Sequence, residues 1–431
     1  MAPSTQANQS PATLCIEAIR QHFVDGANVF ISGGCGQPDA VLAVVAEAAL
    51  SSKIRIIDCS VPGMTATELD RLSSQAILNT GFFLGAYRPF HEQGRLEYVP
   101  AYHSARYRAM EDDYNINIVL IKVSEPNEQG VCSASLHADY SQELLDKADV
   151  VIAEINPNMP FISDALQIPL ADIDYSLSSD TLLREYGVAA GGDLDLVIAQ
   201  HIAGLVDDGD CLQLGIGALP VSILQTLGDK KDLGVHTGLL TEAFVPLVEA
   251  GVVNGSKKTI DKGKMTTGIV AGSREFYQWC GNYSGLSMRP VSYTHNAGVL
   301  SQIDNLVAIN TTLEIDLFGQ INSETIRGKQ IGGGGGLVDF LRGARSSRGG
   351  RSIIALQSTA KGGSISKIAP LLKTAPVTAI RNDVDYVVTE YGIARLSNLA
   401  VEKRAEALIA IAHPDFREEL TAQWSELMSG F

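Results

Sequence analysis

The stretch Asp208–Gly238 reads DGDCLQLGIGALPVSILQTLGDKKDLGVHTG. A short apolar strand, Cys211–Leu214, runs into the turn Gly215-Ile216-Gly217-Ala218-Leu219-Pro220, and the pattern then predicts a helix over Val221–Leu227 and a strand over Gly234–Thr237. Such a junction suits anionic groups, because glycines let backbone approach a ligand and the helix start offers N–H donors without intrahelical partners. It also serves as a plain connection in many α/β proteins. The spacing is G-x-G-x-x-P, so the third glycine of the dinucleotide fingerprint is missing, and no ribose-binding acid follows about 20 residues on; both points weigh against a nicotinamide dehydrogenase.

Two further loops carry chemistry of the same kind. Gly332–Gly336 is a run of five glycines between Ile331 and Leu337-Val338. It reads either as a flexible tether or as backbone that approaches a ligand closely, and its apolar flanks favour the second. Ser358-Thr359-Ala360-Lys361-Gly362-Gly363-Ser364 puts a cation, hydroxyls and paired glycines together, a set suited to phosphate or to a surface turn.

The 431-residue chain has a formal charge of −16, which excludes the basic face a nucleic-acid protein needs but leaves room for a small anionic ligand held locally. Its six cysteines form no C-x-x-C pair, so neither a metal framework nor a disulfide framework is expected. No apolar run approaches a membrane span and no secretory signal opens the sequence, which points to a cytoplasmic protein with no membrane partner.

These loops need strands and helices to hold them, and the chain supplies two sets. VDGANVFISGGCGQPDAVLAVV from Val24 parallels VDDGDCLQLGIGALPVSILQTL from Val206. IKVSEPNEQGVCSAS from Ile121 parallels INTTLEIDLFGQINSE from Ile309. Two matches in the same order, at similar offsets, imply an internal duplication. The expected fold is α/β: two similar halves, each a mostly parallel sheet flanked by helices. Residues 1–11 form a tail, 12–185 the first half and 186–431 the second. Within the first half, helices are expected over Thr13–Phe23 and Asp39–Leu50, with a strand over Asn28–Ser32.

With these residues in view, the chain resembles the acetyl-CoA hydrolase/transferase family. The likeness is carried by GIGALP at Gly215, HTG at His236, VSYTH at Val291, INTTLEIDLFGQINSE at Ile309, GGGGGLVDF, STAKGG, VVTEYGIA and IAHPDFREEL, and runs from about Cys15 to Leu420. The resemblance implies a CoA-transferase with its active site in a cleft between the halves, acyl-CoA as substrate, no metal and a homodimeric state. It places Gly215, Ile216, Gly217, Ala218 and Leu219 at the pantetheine and thioester, Gly334, Gly335 and Gly336 along the pantetheine or acyl site, and Lys361 near the CoA phosphates.

One departure matters. Transferases of this family use a glutamate that attacks the acyl-CoA, and the resemblance puts it at Gly238, which has no side chain to react. Glu242, four residues on and about one helical turn away if Thr241 caps a helix, is a candidate replacement; it also reads as a solvated first-turn glutamate. Glu68 or Glu125 of the first half are further candidates. Hydrolysis or direct acyl transfer without a covalent carboxylate, and CoA-ester binding without turnover, are the competing readings.

Overall fold

The computed structural model describes residues 10–48, 50–65, 72–138, 141–187 and 190–430. Residues 1–9 of the expected tail, and Glu68, lie outside the described residues. The chain divides into two compact units. One comprises residues 1–99, 105–187 and 267–293, the other 100–104, 188–266 and 294–431. The main division in sequence falls at Gly187. Two short segments belong to the unit they do not adjoin in sequence, which no local pattern announces.

The first unit is built on strands β1 (Asn28–Ile31), β2 (Arg55–Asp58), β3 (Ile77–Thr80), β4 (Leu96–Tyr98), β5 (Ile116–Val123), β6 (Val150–Ile155) and β7 (Tyr175–Ser178). They lie in the order β4-β3-β2-β1-β5-β6-β7, every pair parallel. Parallel strands covered on both faces need apolar side chains on both, and β1 is buried at all four positions. Ala12–Thr13 adds an edge strand beside β7, so the helix expected over Thr13–Phe23 shortens to Ile16–Arg20. Thr13 pairs with Ser176 instead, a tertiary contact that overrides the local spacing.

The second unit repeats the plan. Its strands are β8 (Cys211–Leu214), β9 (Gly234–His236), β10 (Met265–Thr267), β11 (Leu306–Thr311), β12 (Arg351–Ala355), β13 (Tyr386–Thr389) and β14 (Gly392–Arg395). The order is β10-β9-β8-β11-β12-β13-β14, parallel except for the closing β13–β14 hairpin. In each unit the strand before the glycine turn, β1 or β8, sits where the strand order reverses. The two stretches matched as a second repeat leave β5 and β11, the neighbours of those strands. The architecture therefore agrees with the duplication read from sequence.

In both units a helix follows the glycine turn: α1 (Asp39–Glu47) and α2 (Ala218–Gln225). α2 begins three residues earlier than predicted. Pro220 is accommodated because a first-turn N–H has no intrahelical partner to lose. A third helix, α3 (Leu337–Ser346), starts at Gly336 and buries Val338, Phe340, Leu341 and Ala344 in the second unit's core.

Candidate active site in the second unit

In open parallel sheets, ligands collect beyond the carboxyl ends of the strands at the point where their order reverses. Between β8 and β11 that point is marked by an amide pair. Asn310 Nδ2 donates to Gln213 Oε1 at 2.9 Å and Gln213 Nε2 to Asn310 Oδ1 at 3.4 Å, both side chains buried. The expected glycine turn follows directly. Gly217 has φ +112°, a conformation favouring glycine, and stands at the N-terminus of α2 without a side-chain cap.

The two units differ at this junction. In the first, the start of α1 is closed internally: Glu154 Oε2 accepts from Ala40 N at 2.8 Å, and Glu154 is itself 3.4 Å from buried Lys122. In the second, the residue that caps α2 is Gly217, which has no side chain to close the helix start. The two matched turns thus differ in that a glutamate from a neighbouring strand reaches the first turn of α1.

β8 and β9 pair Leu212 with Val235, so Gly215 and Gly238 leave their strands at matched positions three residues later. Thr237 Oγ1 donates to Leu214 O at 3.1 Å and ties the two exits together. A β-carbon at Gly238 would lie 2.8 Å from His295 Cε1 and 2.9 Å from Nε2. One at Gly336 would lie 2.4 Å from His295 Nε2 and 3.3 Å from His103 Cδ2. His295 is thus held between two glycines from different loops. Its Nδ1 is 2.9 Å from Thr294 Oγ1, and its ring packs on Phe340 and, edge to face, on His103 with centroids 5.0 Å apart. Burial, then the neighbouring His103 and His236, holds its pKa well below the usual histidine value. His236 is fully buried, with Nε2 3.0 Å from Thr294 O.

The five-glycine run is not a tether. Gly335 forms a bridge with Tyr102 and accepts from His103 N at 3.1 Å. Ser104 N and Oγ donate to the two carboxylate oxygens of Asp339, in the first turn of α3, at 3.1 and 2.5 Å. Burial pushes the Asp339 carboxyl up to about 6 against the pull of those donors. His103 is fixed through its own N–H and through the residue that follows it.

The structure therefore brings Gly215, Gly238 and Gly336 to one edge, and two further predicted residues stand exposed. Lys361 is exposed, with φ +50°, in the turn between the short strands Thr359–Ala360 and Ile365–Ser366. The preceding Ser358 already donates through N and Oγ to Glu390. Glu242 is exposed at the start of a 3-10 turn, Glu242–Phe244, that runs into the short helix Val245–Glu249, and the Thr241 side chain does not cap it. His295 entered the sequence reading only inside the VSYTH motif. Its signal, two side-chain-free positions that make room for one ring, is spread over some hundred residues and visible only after folding. Among the described residues no cluster of His, Cys, Asp or Glu could hold a metal, and no helix is long and apolar enough to cross a membrane.

Two doubly wound units, one with a glycine-lined helix start at its strand-order reversal, define an α/β protein of the class that collects ligands at that edge. The acetyl-CoA hydrolase/transferase N-terminal domain matches residues 13–183 and the acetyl-CoA hydrolase/transferase C-terminal domain residues 272–424. A 4-hydroxybutyrate coenzyme A transferase of Clostridium kluyveri is 41% identical over 81% of this chain and 82% of its own. A succinyl-CoA:cyclohexane-1-carboxylate CoA transferase of Geobacter metallireducens is 38% identical over 80% and 79%. RipA from Yersinia pestis matches in structure with a TM-score of 0.90, at 32% identity over 97% of this chain and 98% of its own. The chain belongs to the acetyl-CoA hydrolase/transferase family. It is an enzyme of the CoA-transferase type, with acyl-CoA as substrate.

Proposed function

We propose that the chain moves CoA between an acyl-CoA thioester and a free carboxylic acid at the carboxyl edge of the second unit's sheet. The observation that carries this is the matched exit of Gly215 and Gly238 beside the uncapped start of α2. Backbone N–H groups there suit a thioester or oxyanion, and two glycines leave its approach open. The CoA ester lies along Gly215–Leu219 and Gly334–Gly336, and Lys361 reaches its phosphates. Glu242 is the carboxylate that the sequence offers for acyl capture. The relatives' names support a carboxylic acid as acceptor. A cytoplasmic homodimer working without a metal completes the reading.

Gly238 favours a second reading, hydrolysis of the thioester, because a glycine there provides no carboxylate to conserve the acyl bond. The two separate on acceptor dependence. Acetyl-, butyryl- and 4-hydroxybutyryl-CoA are incubated with and without acetate, following new acyl-CoA by chromatography and free thiol by colour. Acceptor-dependent exchange supports transfer. Thiol release that ignores acetate supports hydrolysis and overturns transfer.

A further inference from the structure

We propose that the hairpin Thr325–Gln330 holds the phosphorylated nucleotide end of CoA through Arg327 and Lys329. This rests on the CoA-transfer reading above and adds the place where the substrate's charge is met. Beyond the carboxyl end of β11 the chain forms a small sheet of three strands, Ile321–Asn322, Glu314–Asp316 and Ile368–Ala369, in that order. Two hairpins leave the same end of it. One pairs Ile326 with Lys329 across the two-residue turn Arg327-Gly328; the other pairs Ala360 with Ile365 across Lys361–Ser364. Asn322 lies opposite Glu314 and Ile368 opposite Ile315, so the two hairpins start on either side of one strand, two strand spacings or roughly 10 Å apart. At that end Thr312-Leu313 also joins the small sheet to β11, the neighbour of β8 and its glycine turn.

CoA carries its negative charge at the end remote from the thioester, on a pyrophosphate and a ribose phosphate. The hairpin offers the counterpart. Arg327 and Lys329 are exposed, and among the described residues neither side chain has a hydrogen bond or an ion pair. Glu324, the nearest acid in sequence, is engaged by Thr378 Oγ1 and Gln330 Nε2. In a chain of net charge −16, two cations without an acid partner make a local positive site. The turn itself does not call for arginine: Arg327 has φ +50°, where two-residue hairpins favour Asn-Gly, so this side chain is kept at a cost to the backbone. Ile326 and Ile331, 49% and 40% exposed, add apolar surface for a purine beside the charges. The reach also fits. The glycine run leads from Ile331 to Gly336 in five residues, at most ~18 Å, a span within a pantetheine arm's length. Lys361, also at φ +50°, puts a third cation at the tip of the other hairpin.

The test uses the full chain as wild type, R327N, K329Q and the double variant. Each is titrated calorimetrically with CoA and with 3′-phospho-ADP, at low and at raised salt. R327N gives the turn the Asn-Gly pair it favours, so the fold is retained. Each single variant is expected to weaken both ligands ~5-fold and the double variant ~20-fold, with the double variant less sensitive to salt than wild type. Exchange from an acyl-pantetheine, which has no phosphate, is expected to be equal in all four chains. A double variant that binds CoA within about twofold of wild type overturns the proposal. So does an equal loss with acyl-pantetheine, since the hairpin would then act through the fold. Absence of exchange by a wild-type chain that binds CoA overturns the CoA-transfer reading instead, and the calorimetry still decides the hairpin's part.

Discussion

The His295 ring lies so close to Gly238 that a β-carbon on the glycine would stand 2.8 Å from its Cε1. At Gly336 the same construction gives 2.4 Å to Nε2, and Gly336 has φ −89°, which any residue adopts. An alanine at 336 is therefore a steric probe without backbone strain. G336A is expected to displace His295, lower kcat at least ~10-fold and cost about 1–3 kcal/mol of stability through overpacking. Kinetics with thermal melts check it. Unchanged kcat in a normally folded G336A would mean that the ring's position does not matter to turnover.

Asp339 links α3 to the segment that carries His103. Replacing it with asparagine leaves one Ser104 donor facing an amide N–H₂ group, a loss of about 1–3 kcal/mol for an unsatisfied buried group. D339N is expected to lower kcat more than it raises KM, since the carboxylate holds the site rather than the ester. A pure KM effect would place Asp339 in binding instead.

The Gln213–Asn310 pair spans β8 and β11 at the strand-order reversal. Each amide satisfies the other, so removing either leaves a buried group unpaired. Q213L and N310L singly are expected to cost about 1–3 kcal/mol each, and the double variant less than their sum. Denaturant melts of the four chains measure the coupling. Strict additivity would mean that the pair does not act as a unit.

Lys361 tests the reach of the family resemblance. If its ammonium meets the CoA phosphates, K361A raises KM for acyl-CoA several-fold with kcat held, by about 1 kcal/mol of charge-assisted contact. Equal KM values in the two chains remove Lys361 from the site. They would leave Lys361-Gly362-Gly363 as the hairpin turn its positive φ angles already describe.

The doubly wound plan was legible because it repeats: the same strand–glycine–helix phrase occurs at Val24 and at Val206, and both turns fall where strand order reverses. The glycine loops of the site were legible for the reason glycines usually are, that few other residues tolerate such backbone. The difference between the units was not, because Glu154 closes α1 from a strand more than a hundred residues away. His295 was hidden in the same way. Its packing depends on Gly238 and Gly336, which nothing in one sequence connects to it. Sequence offers Glu242 through its nearness to Gly238, and Glu242 stands exposed at the start of a 3-10 turn.

The buried histidines give the protein an acid-side signature. Burial, then the charge of Lys258 nearby, lowers the His236 pKa from 6.5 to about 4, against the raising effect of its bond to Thr294 O. Between these values the unfolded chain takes up a proton that the folded chain does not. Stability from this group is therefore complete above pH 6.5 and is lost as pH falls toward 4, on the order of 3 kcal/mol. Asp339 and Asp210, both raised to about 6 by burial, act in the opposite sense over their own range, as folding favours their protonation. They are common to wild type and to H236Q, whose amide can keep the bond to Thr294 O. Subtracting the two stability–pH curves isolates the histidine. H236Q is expected to lose less stability than wild type between pH 6.5 and 4, with the two curves parallel above pH 7. Curves parallel throughout would show that His236 titrates alike in the folded and unfolded chains.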